Sequence, residues 1–185
     1  LEAALRWGVH SIVVDSLEEL EFLEALAARL QIPARIWLRV TPGLYVDTHP
    51  YRQTAHPTSK FGLLMSDGQA AEGIRRARAS RWLQLTGLHA HLGSQVFEPE
   101  PYLEAVDLLV ALSEQAGVVP LEFSPGGGWG VRYTLDDPTA DTKQTREHAC
   151  DSADRKPPSQ TRGNVGNIDL RRWVVIGGTE LEGIG

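Results

Sequence analysis

The sequence predicts an α/β fold built on a parallel sheet, and three observations carry that prediction. Short β-branched apolar runs recur through the first 138 residues. Longer amphipathic stretches separate them. Each run ends in polar or glycine-rich sequence: Asp15-Ser16, Thr41-Pro42-Gly43, His89 through Ser94, and Ser124-Pro125-Gly126. Strands that alternate with helices pair in parallel through right-handed crossovers. Both (β/α)8 barrels and open doubly wound sheets bind ligands beyond their strand C-termini, so the pattern alone leaves both architectures open. A complete barrel takes about 250 residues, and four strand–helix units amount to half of one.

The elements follow in order. Leu1-Glu2-Ala3-Ala4-Leu5 reads as a helix entered midway. It has no initiator Met and none of the basic and apolar regions of a signal peptide, so the expectation is a fragment. Ile12-Val13-Val14 is a short buried strand. Ser16 then begins a helix, with Glu19 three residues on in capping-box spacing and Leu20, Leu23, Ala27 and Leu30 as its apolar stripe. Arg35 to Val40 is the second strand, stopped by Thr41-Pro42-Gly43. A long connection over 41–66 precedes a helix over 67–79, and Leu83 to His89 is the third strand. Tyr102, Val106, Leu109 and Leu112 lie at helical spacing within 100–116, with Gly117 as the stop. Val119 to Phe123 is the fourth strand and runs into Gly126-Gly127-Gly128.

Composition divides the chain near Pro138. The 185 residues carry a net charge of −6, all of it in residues 1–138, and the pI is near 5.5. An acidic chain without a basic patch argues against a nucleic-acid partner. No apolar run reaches the roughly 20 residues that cross a bilayer. One cysteine, Cys150, excludes an intrachain disulfide framework and points to a reducing, cytoplasmic setting. From Thr139 onward the apolar periodicity stops, and Lys156-Pro157-Pro158 is linker-like. Trp173 to Ile176 is the one strand-like run of the tail, so 139–185 is expected to be largely disordered.

Several residues could carry chemistry. Gly126-Gly127-Gly128-Trp129-Gly130 is either a tight turn or a loop whose N–H groups cradle an anion. It fits neither the Walker nor the dinucleotide spacing. His89 and His91 alternate, which points both rings to one side. That arrangement suits a metal pair, an imidazole beside a planar cofactor, or two structural histidines. His49 and His56 in the long loop add no metal-binding spacing. Ser94 is either a phosphate contact or a helix N-cap. Lys60 pairs with an anion or is a surface lysine.

Taken together and in order, the motifs are more specific. Val13-Val14-Asp15-Ser16, Leu38-Arg39-Val40-Thr41-Pro42-Gly43, His49-Pro50-Tyr51, Thr54-Ala55-His56, Ser59-Lys60-Phe61-Gly62-Leu63, Gly87 through Gln95 and Gly126 through Gly130 resemble the central part of the diaminopimelate decarboxylase family. These are fold-type III, alanine-racemase-like enzymes that use pyridoxal 5'-phosphate. The resemblance covers about residues 1–138 and implies a partial (β/α)8 TIM barrel, strands four to seven, followed by an irregular C-terminal tail.

The resemblance also implies roles. His91 would stack on the pyridine ring. Ser94 with Gly126, Gly127 and Gly128 would hold the phosphate. Lys60 would lie in a loop near the active-site and dimer face. The family's Schiff-base lysine would lie upstream of this chain, so no catalytic residue is expected within it. The Glu-Pro-Gly-Arg stretch of strand eight and the β-domain have no counterpart in 139–185. The implied reaction is decarboxylation of meso-2,6-diaminopimelate to L-lysine by a full-length homodimer that takes a small amino-acid substrate. The fragment alone is expected to be inactive. The competing readings are an arginine or carboxynorspermidine decarboxylase of the same fold, a non-catalytic gene remnant broken near 138, and a metal-dependent barrel hydrolase using His89 and His91.

Overall fold

Residues 1–44, 60–118, 122–136 and 138 are described in a computed structural model of the chain. Val119 to Leu121 of the expected fourth strand, His49, His56 and the whole of 139–185, with Cys150, the linker and the tail strand, lie outside the described residues.

The first turn of chain is a short helix, α1 (Glu2–Trp7), closed by Gly8 in the left-handed region. Strand β1 (Ile12–Val14) leads into α2 (Leu17–Leu30). Ser16 caps α2 by accepting from the Glu19 amide at 3.1 Å. The Glu19 carboxylate reaches one residue further back than in a capping box and accepts from the Asp15 amide at 2.7 Å. The cap therefore also fixes the chain as it leaves β1. Strand β2 (Ala34–Thr41) is longer than expected by a residue at each end. A two-residue strand, β3 (Leu63–Leu64), interrupts the long connection and pairs with Val40 and Thr41 of β2. Such a short pairing carries almost no sequence signal. Helix α3 (Gln69–Ala79), β4 (Leu83–His89), α4 (Glu100–Gln115) and β5 (Glu122–Ser124) complete the described chain.

All described pairings are parallel, in the order β1-β2-β4-β5 with β3 on β2. Spatial order thus follows chain order without reversal. A doubly wound sheet reverses at its switch point, whereas a barrel winds in one direction throughout, and the described strands run as a barrel segment does. The two sheet faces agree with this. Ile12, Val14, Ile36, Leu38, Val40, Leu88 and Phe123 turn toward the helices and join Leu20, Leu23, Ile74 and Leu109 in the main core. The opposite face carries Trp37, Arg39, His89, Glu122 and Ser124. A face of this kind lines a barrel interior.

One irregularity in β4 sets which residues reach that interior. Ile36 pairs with Leu85 but Trp37 pairs with Gly87, so Thr86 is an extra residue, a β-bulge. Its hydroxyl donates to the Ile36 carbonyl at 3.2 Å. Leu83 and Leu85 pack on the helices before the bulge, and Leu88 and Ala90 after it. The alternation changes phase at Thr86, and His89 and His91 fall on the other side from the leucines.

Candidate active site

Parallel strands bring their C-terminal ends to one edge of the sheet, and the polar residues gather there. Asp15 follows β1, Arg39 and Thr41 close β2, His89 ends β4 with His91 two residues on, and Ser124 ends β5. Arg39, His89 and Ser124 are register partners across three strands. Arg39 Nη1 lies 2.6 Å from Asp15 Oδ1, an ion pair that ties β2 to the exit of β1. His89 Nδ1 is 3.0 Å from Ser124 Oγ, which also accepts from the Gly126 amide at 3.3 Å. Burial pushes the His89 pKa down to about 4, helped by the Arg39 charge and by His91. Burial, and then Arg39, also lower His91. Both imidazoles are therefore neutral at pH 7.

The row beneath is built on an absent side chain. Trp37, Gly87 and Glu122 are register partners. The Trp37 indole crosses Gly87 and donates from Nε1 to Glu122 Oε2 at 2.7 Å. A Cβ on Gly87 would lie 2.6 Å from that nitrogen. His10, ahead of β1, holds Glu122 Oε1 at 2.7 Å. Burial opposes the charge of Glu122, but the His10 and Trp37 hydrogen bonds outweigh it and its pKa lies below the usual carboxylate range.

The glycine loop lies directly against the histidine turn. Gly126 has φ +89° and Gly128 φ +92°, where L side chains are strained. A Cβ on Gly126 would meet the Ala90 carbonyl, and one on Gly128 would meet the Gly93 carbonyl and stand 3.4 Å from His91 Cε1. The loop is bonded in place: Val96 N donates to the Gly128 carbonyl at 3.0 Å, and Gly130 N to the Val96 carbonyl at 2.8 Å. Gln95 exchanges two hydrogen bonds with the Val131 backbone, at 3.2 and 3.0 Å.

The structure thus brings His91 and the three glycines together, with Ser94 exposed in the bend two residues before Val96. Ser94 does not cap a helix, since α4 begins at Glu100 behind Pro99. Lys60 lies beside Phe61. Its Nζ lies 5.2 Å from the Phe61 ring, and Arg39 Cζ lies 5.1 Å from the same ring. Thr41 Oγ1 anchors that segment by donating to the Phe61 carbonyl at 2.5 Å. Among the described residues no three His, Cys, Asp or Glu side chains converge as a metal site, and no helix is long and apolar enough to cross a membrane. The motifs had included Arg39 and Asp15 without a role for either. Trp37 and Glu122 were unassigned because nothing local relates positions 85 residues apart.

A glycine cradle that excludes side chains, beside a neutral, half-buried imidazole, fits an anionic group attached to a flat ring. Comparison with known proteins agrees. Residues 1–165 match the family described as pyridoxal-dependent decarboxylase, pyridoxal binding domain. A diaminopimelate decarboxylase of Halalkalibacterium halodurans is 37% identical over 137 residues, which are 72% of this chain and 31% of the relative. One of Mycobacterium bovis is 38% identical over 150 residues, 75% of this chain and 33% of the relative. The solved Helicobacter pylori diaminopimelate decarboxylase complexed with L-lysine superposes with a TM-score of 0.75 at 30% identity, covering 82% of this chain and 39% of that one. The chain therefore spans about a third of the length of the curated relatives it matches. The fold, the glycine cradle and the family match converge: the chain belongs to the pyridoxal-dependent decarboxylases and spans part of their pyridoxal-binding barrel.

Proposed function

We propose that this chain is the cofactor-holding segment of an enzyme that decarboxylates meso-2,6-diaminopimelate to L-lysine. The observation that carries the reading is the packing of Gly126 and Gly128 against the turn that presents His91, in a chain 37–38% identical to diaminopimelate decarboxylases. Pyridoxal phosphate, when bound, supplies an electron sink for the carbanion left by loss of CO2. Gly126, Gly127, Gly128 and Ser94 would hold its phosphate, and the neutral ring of His91 would cover one face of its pyridine. A neutral imidazole suits that position because it lies flat against a ring without the cost of burying a charge. The Asp15–Arg39 pair fixes a cation at the rim without leaving it mobile. Lys60 would contribute polar contacts at the same rim, close to where a second copy completes the site in a homodimer.

The test is CO2 release by the full-length protein from meso-diaminopimelate, arginine and carboxynorspermidine in parallel, with light scattering for the assembly. Release from diaminopimelate, with lysine as product, is expected. Turnover of arginine or carboxynorspermidine in its place would assign the chain to a different member of the fold.

A further inference from the structure

Helix α4 reaches the glycine loop chiefly through the side chain of Tyr102. Tyr102 is completely buried, and its hydroxyl donates to the Gly127 carbonyl at 3.2 Å. Its ring is stacked on Trp129, with centroids 3.7 Å apart and planes 14° from parallel. Leu92, Val96, Tyr102 and Ala105 form a second small core beneath the loop, and Trp129 packs against it. The Trp129 indole N–H is buried without an acceptor among the described residues. The stack is thus kept although that donor has no acceptor among the described residues. Tyr102 holds the loop at two points, one polar and one apolar.

The polar point fixes a direction. The Gly127 carbonyl and the Gly128 N–H belong to one planar trans peptide and point opposite ways. A carbonyl held toward α4 turns the next N–H away from α4, out of the small core. Neither the Gly127 nor the Gly128 amide donates to an acceptor among the described residues, and both glycines are partly open to solvent. Glycine peptides flip at little steric cost, so the direction needs an external constraint, and Tyr102 provides one.

We propose that Tyr102 is a positioning residue for phosphate: through the Gly127 carbonyl and the Trp129 stack it keeps the Gly128 N–H aimed at the phosphate of the cofactor. The inference rests on the cofactor-binding role given above. It assigns to the helix after the histidine turn, and not to the loop alone, control over how tightly the phosphate end is held.

The test compares two ligands that differ only at the phosphate, 4-deoxypyridoxine 5′-phosphate and 4-deoxypyridoxine. Neither has the aldehyde that would react with the lysines at 60, 143 and 156. Affinities are measured by calorimetry on the 185-residue chain, wild type and Tyr102→Phe. The phenylalanine keeps the ring and its stack and removes only the donor. The phosphorylated ligand should bind about 3- to 10-fold more weakly to the variant, as expected for one lost hydrogen bond, while the unphosphorylated one is unchanged. Equal weakening of both ligands, or no change in either, overturns the proposal for Tyr102 and leaves the cofactor-binding role standing. A wild-type chain that does not prefer the phosphorylated ligand overturns both. If Tyr102→Phe does not fold, as judged by circular dichroism, Trp129→Leu removes the apolar hold and is read by the same ligand comparison.

Discussion

Replacing Gly87 by alanine adds one methyl group at the point where the Trp37 indole crosses the sheet. The new Cβ would lie 2.6 Å from Trp37 Nε1, 2.7 Å from its Cδ1 and 2.9 Å from the Glu122 carbonyl. Gly87 has no positive φ, so the backbone itself accepts alanine. The cost is therefore side-chain displacement. The indole is only 4% exposed and is bonded to Glu122 at 2.7 Å, so it cannot tilt without breaking that bond. A hydrogen bond to a charged acceptor contributes about 1.5–3 kcal/mol, and overpacking adds about 1–3 kcal/mol. Reduced unfolded-state freedom returns about 0.4–1 kcal/mol. The expected net destabilisation is about 2–4 kcal/mol. Urea unfolding followed by circular dichroism measures it, repeated in a Trp37→Leu background. There the methyl meets only the Glu122 carbonyl, and at least about 1 kcal/mol of the cost should vanish as coupling between the two sites. A Gly87→Ala variant within about 0.5 kcal/mol of wild type, or one equally costly in both backgrounds, would refute the reasoning.

Two further predictions concern the site itself. His89 titrates near 4 in the folded chain and near 6.5 when unfolded. The unfolded state alone takes up its proton between those values, so this group's contribution to stability is full above pH 6.5 and is lost as the pH falls toward 4. The loss is at most about 3 kcal/mol. In His89→Asn the fall over that window should flatten, and an unchanged slope in unfolding midpoints between pH 6.5 and 4.5 would assign the effect to other groups. Gly128→Ala places a Cβ against the Gly93 carbonyl at φ +92° and forces the loop away from the histidine turn. Binding of 4-deoxypyridoxine 5′-phosphate should weaken at least about tenfold, a threshold of about 1.4 kcal/mol, and affinity retained within twofold would remove the cradle from the site.

The helical elements were legible because their signals are local. Ser16 with Glu19 announces α2, and the Tyr102, Val106, Leu109 and Leu112 spacing announces α4. The glycine loop and the histidine turn were legible as motifs, because backbone that must accept positive φ or close approach restricts residue type. Winding was not legible, since barrel and doubly wound sheets share one periodicity. It took the strand order together with the solved relatives to separate them. The Trp37–Glu122 bond, the Arg39–Asp15 pair and the Tyr102 hold on Gly127 were invisible for a common reason: each joins residues that meet only after the sheet has formed. Strand β3 escaped because two residues of pairing leave no pattern to read.

The extra residue at Thr86 separates two kinds of constraint along one strand. Before it, Leu83 and Leu85 answer only to the volume of the helix-facing core, and isosteric exchanges there should leave the chemistry untouched. After it, the same alternation decides which residues face the polar side of the sheet. Deleting Thr86 would remove the extra residue, leave Ile36 paired with Leu85 and Trp37 with Gly87, and keep Leu88 and His89 on their present faces. Inserting one residue between Gly87 and Leu88 would instead exchange those faces while every side chain is kept. The strand thus tolerates a loss of length at the bulge and not a gain beyond it. Chains lacking Thr86 should fold and bind ligand, while chains with one residue inserted after Gly87 should not.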